Sequence, residues 1–190
     1  CFMKDSGKWE EKGFTLIELS LVLVIIGLLM VSILKGEALI QSAKIKSLVN
    51  QKDSFVAAIY TFYDKYNVYP GDENINGTPT NDTHNGNGNG YITGNERYYV
   101  FEDLCLANLI QGNYTGATGN DLIHSFGGHM YILWQTRNSI TDHCVTITAL
   151  PAEVAQQIDR KYDDGVYNTG SIAASSDYTN SAAKTLYWRM

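Results

Sequence analysis

The run from Phe14 to Leu34 limits what this chain can fold into more than any other stretch. It holds 21 residues with Glu18 as its one ionisable side chain, and about 20 consecutive apolar residues suffice for one helix to cross a hydrocarbon core. The reading is a membrane-spanning helix. Glu18 is the exception within it, because a carboxylate at the centre of a membrane helix costs on the order of 2.5 to 3.5 kcal/mol. It is therefore expected to have a positively charged partner. One source is Lys12; the other is a new amino terminus made by a cut just before the apolar run. Gly13 is a slim, flexible residue at that junction. A cut between Gly13 and Phe14 would put an α-ammonium one helical turn from Glu18.

What precedes the run is polar. With Met3 read as the first residue, the leader is Met-Lys-Asp-Ser-Gly-Lys-Trp-Glu-Glu-Lys-Gly, which lacks the apolar region of a secretory signal peptide; no small-x-small site follows the run either. Lysines on the leader side would hold it in the cytoplasm. Gly13, Phe14, Thr15, Leu16, Ile17 and Glu18 resemble, position by position, the signature of the type IV pilin superfamily, which includes pilus subunits and the pseudopilins of type II secretion. The resemblance implies that a prepilin peptidase cuts after Gly13 and methylates Phe14. It also implies that Glu18 assists methylation and pairs with the terminal amine of an adjacent subunit. The implied partners are further copies of the chain, the peptidase, an assembly platform, minor pilins and the membrane. The implied location is the bacterial inner membrane for a single-pass precursor with a periplasmic globular domain, then a periplasmic or cell-surface filament. A plain signal anchor fits the hydropathy but gives no reason for Glu18.

Length and charge narrow the rest. The chain of 190 residues, less a leader of 13, has room for one membrane helix and one small domain. The formal charge of −6 survives cleavage, since Lys4, Lys8 and Lys12 balance Asp5, Glu10 and Glu11, so direct binding to nucleic acid is not expected. Cys1 falls in the leader and leaves Cys105 and Cys144. An even pair beyond an export segment is expected to form one disulfide, stabilising by about 3 to 4 kcal/mol in the chain-entropy model; the alternative is two buried free thiols.

Past Leu34, Ile45, Leu48, Phe55, Ile59, Phe62 and Tyr66 keep spacings of three, four and seven, with Lys52 filling one gap. That is one helical stripe. A helix from Phe14 to Tyr66 would span 53 residues, roughly 80 Å. Lys35 and Gly36 are where it could loosen, since Gly costs about 1 kcal/mol against Ala. Pro70-Gly71-Asp72 is expected to stop it, and residues 71–96, with Asn85-Gly86-Asn87-Gly88-Asn89-Gly90, read as solvated loop. Tyr98 to Ile110 reads as a short helix with Cys105 turned inward, and Gly112 ends it. Met130 to Gln135 and Cys144 to Leu150 read as an antiparallel pair joined by a turn over Asn138 to Asp142. Pro151 opens a helix through Tyr162, and Thr185 to Trp188 is a final strand.

Few residues suggest chemistry. Asp72, Glu73, Asn74, Asn76 and Asp82 in the long loop, and Asp159, Asp163 and Asp164 before Gly165, are candidate calcium ligands, weighed against solvated loops; no other cofactor is expected. His124, His129 and His143, with Asp121 and Asp142, match no compact metal motif and read as structural. There is no nucleophile elbow and no phosphate-cradling loop, so an enzyme is not expected.

The expected fold is α+β, pilin-like: a long amino-terminal membrane-spanning helix packed on a small antiparallel sheet with short helices. Its divisions are the leader (1–13), the membrane and assembly helix (14–34), its amphipathic continuation (35–66) and the globular domain (67–190). The expected function is that of a structural subunit of a helical filament of the type IV pilus or type II secretion pseudopilus class. The alternative is a monomeric periplasmic binding or enzymatic domain tethered by an uncleaved signal anchor.

Overall fold

A computed structural model describes residues 13–138 and 140–190. The leader to Lys12, and with it the Lys12 alternative for Glu18, lies outside the described residues. The elements are α1 (Leu16–Tyr66), α2 (Glu96–Leu106), β1 (Leu122–Ile123), β2 (His129–Arg137), β3 (Ile140–Leu150), α3 (Ala152–Tyr162), β4 (Ile172–Ala174) and β5 (Lys184–Arg189). The five strands form one antiparallel sheet in the order β1-β2-β3-β5-β4. This is the expected α+β architecture, and the chain divides into two compact units after Ser42.

In the first unit the apolar side chains of α1 meet no core. Leu16 is 87% exposed, Leu23 69% and Leu39 71%. The two serine hydroxyls in the run are satisfied by the helix itself: Ser20 donates to the Ile17 carbonyl at 2.8 Å and Ser32 to the Leu28 carbonyl at 2.9 Å. Serine hydroxyls bonded back to the helix rather than to water are what a lipid interior demands. The helix continues through Lys35 and Gly36 without a break. Glycine alone lowers helix propensity but keeps its amide, so nothing there interrupts the ladder.

In the second unit the stripe on α1 becomes the core. Leu48, Phe55, Ile59 and Phe62 are at most 1% exposed, and Phe55 stacks on Phe101 of α2 with ring centroids 5.2 Å apart. Lys52 interrupts the stripe for a physical reason. Its ammonium sits 4.3 Å from the centre of the Trp188 ring on β5, a cation–π contact made over apolar surface by its stem. The helix ends at Asn67, which adopts the left-handed conformation (φ +58°) and donates its amide to the Tyr63 carbonyl. The stop therefore precedes Pro70, and asparagine supplies the left-handed cap.

β2 and β3 pair from Met130↔Ile147 to Arg137↔Ile140. β3 thus begins at Ile140, inside the stretch expected to be turn, because Asn138 at φ +52° already reverses the chain. Met130, Ile132, Val145 and Ile147 join the core, while Cys144 belongs to a smaller cluster with Ile140 and Ala173. α2 starts two residues earlier than expected and closes at Leu106, where Asn108 (φ +56°) lets the Leu109 and Ile110 amides fold back onto the Leu104 carbonyl. α3 and β5 lie where expected. β1 and β4, of two and three residues, carry too little pattern to read.

The asparagine–glycine loop is not a free coil. Gly86 and Gly88 donate their amides to the carbonyls of Glu73 and Asp72, and Asn89 and Gly90 donate theirs to the Asp72 carboxylate at 3.1 and 2.7 Å. Asn87 binds Glu96 through its amide and its side chain. Asp72 is fully buried as a result. Gly71 (φ +78°) could not be replaced, because a β-carbon there would lie 2.4 Å from the Glu96 carbonyl oxygen.

Candidate functional site

The amino-terminal site is built on the start of α1. Gly13, Phe14 and Thr15 precede the first helical residue, Leu16. Phe14 is 81% exposed. The Thr15 amide and hydroxyl both donate to Glu18 Oε2 at 2.8 Å, and the Glu18 amide donates to Thr15 Oγ1 at 3.3 Å. Thr15-Leu16-Ile17-Glu18 is thus a capping box, in which two donors at a helix start are satisfied reciprocally. One oxygen of Glu18 is thus satisfied within its own chain. A threonine three residues before a glutamate at the head of an apolar run is a signal readable from sequence. Oε1 makes no hydrogen bond among the described residues. The carboxylate is therefore held by one oxygen and leaves the other without a partner among the described residues.

The expected disulfide is absent. Cys105 and Cys144 are free thiols. Cys105 lies on α2, half-buried, with its thiol 3.3 Å from the Gly112 carbonyl. Cys144 is fully buried on β3 beside Ile140 and Ala173, where burial pushes its thiol up to about 11. Because Val145 and Ile147 take the core side of β3, strand alternation turns Cys144 to the other side of the sheet. α2 packs through Phe101 on the core side, against Phe55.

The histidines are separate and structural. His124 accepts the Phe126 amide on Nδ1, so Nε2 carries the proton and donates to the Thr148 carbonyl at 2.8 Å. His143 Nε2 accepts the Ile92 amide at 3.1 Å. Burial lowers both pKa values and keeps both rings neutral. His129 pairs with Asp121 at 2.5 Å in an open hollow beside Arg97 and Tyr131.

The acidic candidates separate into three situations. Asp72 is taken up by the amides of Asn89 and Gly90. Asp163 and Asp164 meet Asp159, and Asp82 meets Glu73 and Asp103; in each trio one oxygen per residue lies within 4.8 Å of the others. Asp103 was not expected to take part. Asp103 reads as one more helical residue, and only the fold brings it to a loop some 20 to 30 positions earlier.

The model of the prokaryotic N-terminal methylation motif matches residues 10–34. No curated protein and no solved structure matches the chain.

Proposed function

We propose that this chain, which carries the methylation motif that is the hallmark of type IV pilins and pseudopilins, is a structural subunit of a helical filament. The motif implies a precursor processed by a prepilin peptidase, with Gly13 before the cut and Phe14 as the methylated first residue. The observation that carries the filament reading is the surface of α1: the large apolar side chains described between Leu16 and Ile40 are exposed. Soluble monomers rarely expose apolar patches beyond a few hundred Å². Lipid covers such a surface in the precursor, and the same helices of neighbouring subunits cover it in a fibre. The globular unit would then face the periplasm or the cell exterior.

Glu18 has two roles in this reading. Its Oε2 holds the capping box that starts the helix, and its Oε1 accepts the α-ammonium of a neighbouring Phe14. An apolar surrounding strengthens that charge pair and raises the cost of leaving either partner alone. The machine served, pilus or secretion pseudopilus, is set by the platform and minor subunits that the filament meets.

The experiment separates the two roles. Glutamine can take glutamate's place in a capping box but carries no charge. Glu18→Gln and Glu18→Ala are both expected to be cut after Gly13 and both to lose methylation or filament assembly, read by intact mass and by sheared-filament yield. Normal filaments from Glu18→Gln alone would reduce Glu18 to a helix cap. A wild-type chain that keeps its leader in cells with an active prepilin peptidase would overturn the filament reading in favour of the tethered monomer.

A further inference from the structure

We infer that Glu73, Asp82 and Asp103 form a binding site for a hard divalent cation, calcium, which ties the loop after α1 to helix α2. Glu73 and Asp82 lie in the loop between α1 and α2 and Asp103 on α2, and each spends one carboxylate oxygen on a backbone amide. Ile75 donates to Glu73 Oε2 at 2.9 Å, His84 to Asp82 Oδ1 at 3.3 Å, and Gly71 to Asp103 Oδ2 at 2.6 Å. The second oxygen of each, Glu73 Oε1, Asp82 Oδ2 and Asp103 Oδ1, is buried without a hydrogen-bond partner. Glu73 and Asp103 are 0% exposed. Three converging carboxylates, oriented by amides and with three unused oxygens, are what a cation would complete.

The protein supplies no counter-charge of its own among the described residues. His84, whose amide binds Asp82, pairs its ring with Glu102 at 2.6 Å, and Thr83 donates to the other oxygen of Glu102. Buried carboxylates in this position must be neutralised by protons or by a metal. Without a metal, burial and the neighbouring acids push Asp103 up to about 9 and raise Glu73 as well.

The donor set selects the metal class. Oxygen-only ligands suit calcium, magnesium and manganese, whereas zinc prefers nitrogen and sulfur. Calcium accepts six to eight oxygens in irregular geometry, while magnesium demands a near-ideal octahedron. Three side chains from a loop and a helix, each already tethered to an amide, favour the tolerant ion. Asp82 is only partly buried, which leaves room for entry and for water to fill the remaining positions. The second acidic trio shows none of these features, since every oxygen of Asp159, Asp163 and Asp164 accepts a hydrogen bond. The inference does not depend on the filament reading.

The test uses the full chain in detergent, stripped with chelator and titrated with calcium chloride or magnesium chloride by calorimetry and thermal melting. Calcium is expected to bind once per chain, with a dissociation constant of about 1 mM or tighter, and to raise the melting temperature by roughly 5 °C at saturation. Asp82→Asn keeps an oxygen for the His84 amide and is expected to weaken calcium binding at least about tenfold; Asp103→Asn should do the same if it folds. Asp164→Asn, in the other trio, should bind as the parent does. Failure of 10 mM calcium to bind, or unchanged binding in Asp82→Asn, would overturn the site. Equal stabilisation by magnesium at the same concentration would overturn the assignment to calcium.

Discussion

The two acidic trios have the same nominal charge and similar spacing, and they differ in where their oxygens go. Glu73, Asp82 and Asp103 give three oxygens to backbone amides and leave three buried without partners. Asp159, Asp163 and Asp164 give all six to donors: Gly165, Val166, Ser171 and Ile172 supply amides, and Thr169, Ser171 and Tyr178 supply hydroxyls. The second trio is the scaffold of the turn leading into β4. Counting carboxylates does not identify a cation site; counting what the carboxylates lack does.

The sharpest way to break this contrast is pH. Asp103 faces Glu73, Asp82 and Glu102, and its pKa rises from the ordinary 3.8 to about 9. The folded, metal-free chain therefore holds a proton that the unfolded chain releases from about pH 4 upward. Stability from this source is complete below pH 4 and is lost as pH rises towards 9, at up to about 1.4 kcal/mol per pH unit for one proton. Calcium replaces that proton, so the loaded chain should lose this slope. Denaturant midpoints at pH 5, 7 and 9, in chelator and in calcium, measure it. Parallel curves would mean that the two trios respond alike and that no cation replaces a proton.

The next effect belongs to the second trio. Asp163 accepts the Ser171 amide at 2.7 Å, the Ile172 amide at 2.8 Å and the Ser171 hydroxyl at 3.2 Å. Asp163→Ala removes all three and leaves two amides without partners at the start of β4, a loss of about 2 to 4 kcal/mol. The calcium shift of the first trio should persist in this variant, as seen by melting with and without calcium. Loss of both together would show that the trios are not independent.

Much of the fold was legible because its signals are local or periodic. The α1 stripe, the β2–β3 pair and the proline-led α3 are patterns within 10 to 20 residues, and the structure keeps them. What was not legible depends on partners distant in sequence. Asn85 to Gly90 has the composition of coil, yet its amides find Asp72 and Glu73 and its Asn87 finds Glu96. Asp103 is one of three acids buried on α2, with Glu96 and Glu102, and only its bond to Gly71 shows why it is there. The disulfide expectation rested on cysteine parity, which is blind to the side of a sheet. The Glu18 cap is different, because its partner is local: Thr15 stands three residues before it and closes the box within one turn.

The smallest effect tests whether one missing donor makes the second trio resemble the first. Tyr178 donates its hydroxyl to Asp159 Oδ2 at 2.6 Å, and Asp159 is 0% exposed. Tyr178→Phe keeps the ring and orphans that oxygen, a cost of about 1 to 2 kcal/mol. The pH dependence follows from the direction of each influence on Asp159: burial raises its pKa, and the Tyr178 and Gly165 bonds lower it. Tyr178 thus stabilises the charged form, so the cost should be present at neutral pH and shrink as Asp159 is protonated in acid. One orphan oxygen among six is not three that converge, and the variant should gain no second calcium in the same titration. A second bound calcium would mean that a single unsatisfied oxygen is enough to make a site, and the line between the two trios would then be one hydroxyl wide.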